Sequence, residues 1–434
     1  MKFLNSYFEI EKHGSSIRTE IIAGLTTFFT VAYIIIVNPK VLTVAGIPEE
    51  PTIVATILVA FVGTFLTGVY AKRPFAIAPY MGMNAFVAYT VVKVMGHTWQ
   101  TAIGAILISG ILLIIATVTG VRTWLAKAIP ESLKIACTVG IGFFLTLIGL
   151  VNSGIIIGMG SPPVKIGSWN TPEVLLAIFG FLFIAILMMR KVKGAILVGI
   201  IATTLVGFAL GVSKLPEKWL SMPPDISPIL GQFDLVGALQ WGFASIILTI
   251  VVMDIVDTIG TLTALSMVGG LLDEKGNLPE MHKPMLSDAI ATTLAGVLGT
   301  TTAGTFIDSA TGIEAGGRTG LTALVTSLMF LLALFISPFV AAIPAYAYSP
   351  ALIVVGLLMV GLVAKLDFSD YSEAVPVFVT IILMAFTYNI GIGMTAGFIV
   401  YILFKLIAGR VSEISAGMWA LGAISLLLFF IYPY

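Results

Sequence analysis

Three carboxylates stand where a chain this rich in hydrocarbon should have none. Asp254 and Asp257 fall inside "ASIILTIVVMDIVDTIGTLTAL", three residues apart and so on one face of a helix. Asp308 falls in "GTTTAGTFIDSATGIEAGGRTG" (299–320), where six of 22 residues are Gly and six are Thr. That composition makes a poor helix and a poor strand. A carboxylate at mid-bilayer depth costs about 2.5–3.5 kcal/mol on insertion scales. It must be protonated, be hydrogen-bonded by backbone and hydroxyls, or face a wet cavity. Every Lys and Arg falls in a loop or at the end of an apolar run, so no cationic partner is expected at that depth. An unpaired carboxyl in such a place can bind and release a proton within the physiological range. That suits proton coupling through Asp254, Asp257 and Asp308. The plainer alternative for Asp254 and Asp257 is a bond to a neighbouring helix's backbone, and for Asp308 a helix cap.

The elements that must position these acids follow from composition. Of 434 residues, 58% are hydrophobic and 10% charged, with a mean hydropathy of +1.08. A soluble domain carries about 25% charged residues. Repeated apolar runs of about 17–25 residues, each long enough for roughly 30 Å of hydrocarbon, predict an all-α polytopic membrane protein. Net charge is zero, which gives no reason to expect nucleic acid or a polybasic lipid anchor. One cysteine, Cys137, excludes an internal disulfide and a cysteine metal cluster. The start, "MKFLNSYFEIEKHGSSIRTE", lacks the apolar core of a cleavable leader. Phe3, Leu4, Tyr7, Phe8 and Ile10 suggest a short amphipathic segment on the membrane surface.

Apolar runs lie at about 20–38, 52–70, 76–94, 101–120, 132–152, 172–189 and 194–212. A second set follows at about 240–264, 284–299, 303–317, 320–344, 350–364, 374–389 and 391–408, with one more at 417–432. Threading the fourteen spans with the N-terminus inside puts seventeen basic residues on that side, Arg18, Lys72, Arg122 and Lys275 among them. Five fall outside: Lys40, Lys93, Lys165, Lys214 and Lys218. This is a strong positive-inside bias, placing the N-terminus in the cytoplasm of a multi-pass cell-membrane protein. It requires 303–317 to cross as a broken span.

Seven spans precede the polar stretch 212–234 and seven follow it, which predicts two inverted halves. The third span, "RPFAIAPYMGMNAFVAY", and the tenth are both interrupted, at equivalent positions. Each reads as an extended arm followed by a half-helix, with the two arms pairing at a midplane site. Tyr80 and Phe306 immediately precede the half-helices and are placed against a planar ligand; Asp308 or Ser309 is expected at a cap. Glu314 and Arg318, four apart, read as a local ion pair, and Asp288 as structural. His13, His97 and His282 lie in loops or the tail, which leaves no histidine relay.

"RTEIIAGLTTFFTVAYIIIVNP" (18–39), "APYMGMNAFVAY" (78–89), "DIVDTIGTL" (254–262) and "SATGIEAGGRTGLTA" (309–323) resemble the purine permease branch of the xanthine–uracil permease (nucleobase–ascorbate transporter) family. The similarity runs through most of the chain. It implies seven plus seven inverted spans, with a core domain over 1–121 and 240–345 and a gate domain over 122–239 and 346–434. It implies import of a hypoxanthine, guanine or adenine by proton symport, with no bound cofactor and sodium as the alternative coupling ion. The matching motifs assign base contacts to Asp257 and Asp308, with Tyr80, Phe306, Asn84 and Thr30 completing the site. A homodimer through the gate domain is the expected assembly. Two departures from the family pattern bear on which base fits: Asp308 stands where Glu is usual, and Tyr80 where Gly is usual.

Other readings are a same-fold transporter of uracil, xanthine or a small anion such as sulfate, a channel, and an intramembrane aspartyl protease. Two unpaired acids in the cavity repel anions. The Tyr-Asp and Gly-x-Gly-Asp motifs of such proteases are absent, so no enzyme activity is expected.

Overall fold

The computed structural model describes residues 2–158, 164–273 and 278–431; Lys275 and Tyr432 of the preceding analysis lie outside the described residues. The chain opens with α1 (Lys2–Phe8), then α2 (Ile17–Val31), α3 (Ile34–Thr43) and α4 (Glu49–Val69). Strand β1 (Ile77–Pro79) leads into α5 (Met81–Ala85), which continues to Val94 as a π-helix. Next come α6 (Trp99–Val118), α7 (Val121–Ala128), α8 (Glu131–Asn152) and a small hairpin of β2 (Ile156–Gly158) and β3 (Val164–Ile166). α9 (Pro172–Met189), α10 (Ala195–Ala209) and the turn α11 (Leu235–Ala238) complete the first half.

The second half starts with α12 (Ala244–Gly269), α13 (His282–Leu298) and β4 (Ala303–Thr305). After a 3-10 turn at Ile307–Ser309 come α14 (Ala310–Glu314), α15 (Gly320–Leu332) and α16 (Ser337–Ala341). α17 (Ala345–Val360), α18 (Tyr371–Phe386), α19 (Ile390–Ile407) and α20 (Ala416–Ile431) close the described chain.

Among the described residues, nine helical segments are long and apolar enough to cross a membrane: 17–43, 49–69, 99–118, 131–152, 172–189, 244–269, 320–341, 345–365 and 390–407. Shorter apolar helices cover 81–94, 195–209, 371–386 and 416–429. The protein is a multi-pass membrane protein. Its large exposed side chains, such as Leu182, Ile186, Leu205 and Leu332, are apolar, as a lipid-facing surface requires.

Helix packing joins the two halves. α2 packs on α14 and α15, α4 on α13 and α15, and α6 on α12 and α13. Elsewhere α8 packs on α17 and α18, α9 on α10 and α17, and α18 on α19. Close approach depends on glycine where α4 meets α15. A Cβ on Gly320 would lie 2.0 Å from the carbonyl oxygen of Gly68.

Two expectations about the first 43 residues change. The apolar face of the start is spent on protein: Phe8 and Ile10 are buried in a cluster with Leu321 at the head of α15. The first apolar run is also interrupted, ending as α2 at Val31 and resuming as α3 at Ile34. At the junction the hydrogen bonds shorten by one residue, the Ile35 N–H reaching the Ala32 carbonyl and the Ile36 N–H the Tyr33 carbonyl.

Candidate functional site

The two interrupted segments meet. β1 and β4 pair antiparallel, with Ile77 opposite Thr305, Ala78 opposite Gly304 and Pro79 opposite Ala303. All six residues are buried, so their outer edges need partners as well. A threonine on the preceding helix supplies them in each half. Thr64 of α4 donates to the Ile77 carbonyl at 2.8 Å and accepts from the Ile77 N–H at 2.9 Å. Thr292 of α13 donates to the Ala303 carbonyl at 2.9 Å and accepts from the Ala303 N–H at 3.2 Å. The same device therefore recurs on both sides of the crossing.

The half-helices begin where the strands end. Tyr80 stands at the N-cap of α5, and Phe306 at the N-cap of the 307–309 turn. The Tyr80 ring lies over Gly304, where an added Cβ would come within 3.0 Å of it. Glycine at 304 thus makes room for the large side chain at 80. The Phe306 ring stands 6.4 Å from that of Tyr33, centroid to centroid, tilted by 59°.

Neither Asp308 nor Ser309 caps a helix with its side chain. Asp308, half-buried, accepts through Oδ2 from the Tyr33 hydroxyl at 3.3 Å. Ser309 Oγ accepts from the Ala76 N–H at 3.0 Å, fastening the tenth segment to the third. Tyr33 sits at the break between α2 and α3. Thr30, one turn earlier, donates to the Thr26 carbonyl and receives the Thr311 hydroxyl at 3.1 Å.

α12, which carries Asp257, packs against β4, the 307–309 turn and α14. Asp257 is half-buried, and among the described residues no group hydrogen-bonds or pairs with its carboxylate. The Tyr80 hydroxyl lies within electrostatic reach of it. Contacts join Asp308 and Phe306 to Tyr33 and Thr30 to the 308–311 turn, with Tyr33 as a member not anticipated from sequence.

Asn84 is held by its neighbours, and Asp254 differs from expectation. Asn84 is fully buried in α5 and donates to Asn38 Oδ1 at 3.0 Å, while Asn38 reaches Thr56 and Thr300. The Asn84 Oδ1 has no hydrogen-bond partner among the described residues. The expectation of no cation at the depth of the acids fails for Asp254. Arg122, read as a cytoplasmic loop residue, is fully buried at the start of α7, with Nη2 2.7 Å from Asp254 Oδ2 and 2.6 Å from Asp288 Oδ2. The proposed domain boundary at 121–122 consequently falls inside α7, whose Arg122 holds α12 and α13.

Glu314 and Arg318 also part company. Arg318 donates to the Ile313 and Gly317 carbonyls, and no Glu314 pair forms among the described residues. The carboxylate at that end is Glu20, fully buried, which accepts from the N–H groups of Arg318 and Thr319 and from the Thr322 hydroxyl. Its oxygens serve the head of α15 as a cap would.

Two antiparallel broken segments thus cross inside a multi-pass helical protein. Solved structures share the fold. The transmembrane domain of a cyanobacterial bicarbonate transporter, BicA, superposes with a TM-score of 0.66 at 17% identity, covering 87% of this chain and 96% of that one. Murine Slc26a9 in its inward-facing state gives 0.65 at 10% identity, covering 95% and 72%.

The sequence identifies the family. The xanthine–uracil permease sequence model, described as "Permease family", matches residues 18–397, and this chain belongs to that family. A putative permease of Methanocaldococcus jannaschii is 45% identical, over 99% of this chain and 98% of its own length. The adenine permease AdeP of Escherichia coli is 40% identical over 95% and 92%. The guanine/hypoxanthine permease PbuO of Bacillus subtilis is 39% identical over 94% and 96%. The protein is a transporter and not an enzyme, which closes the protease reading.

Proposed function

We propose that this chain imports a purine nucleobase of the adenine, guanine or hypoxanthine class by proton symport with alternating access. One observation carries the reading: Asp257 on α12 is half-buried with no hydrogen-bond or ion-pair partner among the described residues, whereas Asp254 on the same helix is bridged to Arg122. An unengaged carboxylate there is an acceptor for the ring N–H of a base. The resemblance to adenine and guanine/hypoxanthine permeases over nearly the whole chain favours adenine, guanine or hypoxanthine over uracil or xanthine.

In this reading the flat base lies against Phe306 and Tyr80, whose rings suit a planar ligand. Asp257 and Asp308 accept from its edge, and Thr30 holds the 308–311 turn through Thr311. Two acids facing one cavity do not both ionise readily, so one proton accompanies the base. Sodium is the alternative coupling ion. Asp254 leaves the coupling set because Arg122 engages it, and Asn84 acts by bracing rather than by touching the base.

Fourteen spans with a cytoplasmic N-terminus complete the proposal. The nine long segments are joined by the shorter helices at 81–94, 195–209 and 371–386, by α13 and by the broken tenth segment, with α20 additional to the fourteen. The bundle of α2–α6 with α12–α16 is the moving core, and the bundle of α8–α10 with α17–α20 is the gate and the dimer face.

The test is thermal stabilisation of the purified protein by hypoxanthine, guanine, adenine, xanthine, uracil and sulfate at two pH values. A ligand at a hundred times its dissociation constant adds about 2.7 kcal/mol to a folded state it alone recognises. Stabilisation by a purine and none by uracil or sulfate is expected. Stabilisation by sulfate with none by any base would overturn the function and leave the fold.

A further inference from the structure

Arg122, Asp254 and Asp288 form a cluster to which the transport reading gives no task. Each is at 0% exposure, and they come from α7, α12 and α13. One nitrogen, Arg122 Nη2, contacts both carboxylates at 2.7 and 2.6 Å. Arg122 Nη1 donates to the Met285 carbonyl at 2.8 Å, and Thr258 Oγ1 donates to Asp288 Oδ2 at 2.9 Å. Asp254 Oδ1, Asp288 Oδ1 and Arg122 Nε have no hydrogen-bond partner among the described residues.

The charges do not balance. One guanidinium faces two carboxyls, with no water-exposed atom among the three side chains. The other titratable groups in reach are Tyr80 and Asp257, and neither is a cation. With both acids ionised, an uncompensated negative charge would be sealed away from water, a state that proteins avoid by taking up a proton. The two oxygens share one donor, Nη2, and a proton on one carboxyl relieves their mutual repulsion. Asp288 accepts from Arg122 and from Thr258, whereas Asp254 accepts from Arg122 alone. The better-solvated acid is the anion.

We propose that this cluster is a proton-binding site separate from the transport site, with the proton borne by Asp254 and kept there throughout the cycle. Neutral overall, the cluster ties α7, α12 and α13 together and positions Asp257, one turn along α12 from Asp254. The inference deepens the transport reading and rests on it only for the uptake arm of its test.

The experiment compares wild type, Asp254→Asn, Asp288→Asn, the double Asp254→Asn/Asp288→Asn variant and Arg122→Gln, purified and reconstituted. Melting temperature and adenine or hypoxanthine uptake against pH are the readouts. An amide reproduces a neutral carboxyl, so Asp254→Asn is expected to melt within about 2 °C of wild type and to keep its pH dependence of uptake. Asp288→Asn should melt lower. The double variant and Arg122→Gln should lose the most, because each leaves buried charge or hydrogen-bonding groups without a counterpart.

Loss of concentrative uptake in Asp254→Asn, with exchange retained, would make Asp254 the coupling acid and overturn the proposal. A shifted pH profile in that variant would do the same. A double variant as stable as wild type would overturn the charge argument. If wild type moves no purine, the transport reading fails separately, and the order of melting temperatures still decides the cluster.

Discussion

The Tyr33 hydroxyl donates to Asp308 Oδ2 at 3.3 Å, joining the break in the first apolar run to the break in the tenth. The bond spans 275 positions of sequence, and it leaves the second Asp308 oxygen for a ligand. Removing the donor should therefore weaken the base indirectly, by freeing the carboxylate to rotate. Tyr33→Phe is expected to cost about 1 kcal/mol of binding, roughly fivefold in apparent affinity, while uptake persists. Titrating uptake against base concentration checks it, and an unchanged half-saturation would remove Tyr33 from the site.

Asp257→Asn should leave a folded, membrane-inserted protein, because the carboxylate contributes no hydrogen bond or ion pair among the described residues. Concentrative uptake should be lost. The two halves of this expectation need two measurements, monodispersity in detergent and uptake in vesicles under a proton gradient. Undiminished uptake would take this acid out of the mechanism.

Asp308→Glu restores the length usual at this position in the family. The longer acid reaches further from the 307–309 turn, so the variant should stay active with an altered preference among adenine, guanine and hypoxanthine. Asp308→Ala should be inactive. Competition by unlabelled bases reads the preference, and wild-type behaviour in both variants would mean that the tenth segment does not read the ligand.

The legible and illegible parts of the chain divide by the range of the forces involved. Apolar runs are local composition, so the helices at 49–69, 99–118 and 131–152 fall where hydropathy puts them. The pairing of β1 with β4 was legible because Gly, Pro and Thr interrupt two runs at matching places. Arg122 was not, since it follows Gly120 in a polar stretch and counts there as one more cytoplasmic charge. Only the packing of α7 on α6 and α12 buries it. Glu20 was missed for the same reason, its partners lying some 300 positions away.

Thr64 and Thr292 offer a test of the crossing that does not depend on any ligand. Each hydroxyl both donates to and accepts from one strand residue, and valine matches threonine in shape without either function. Thr64→Val strips partners from the N–H and carbonyl of Ile77, and Thr292→Val from those of Ala303. A buried polar group left bare costs about 1–3 kcal/mol, so each variant should melt several degrees lower, and by similar amounts. Because the two threonines serve opposite edges of one two-stranded ribbon, their losses share a structure and should not add. The double variant is therefore expected to fall short of the sum in a thermal melt. Full additivity would mean that the two arms are held independently, and that the ribbon does not act as one unit beneath the base.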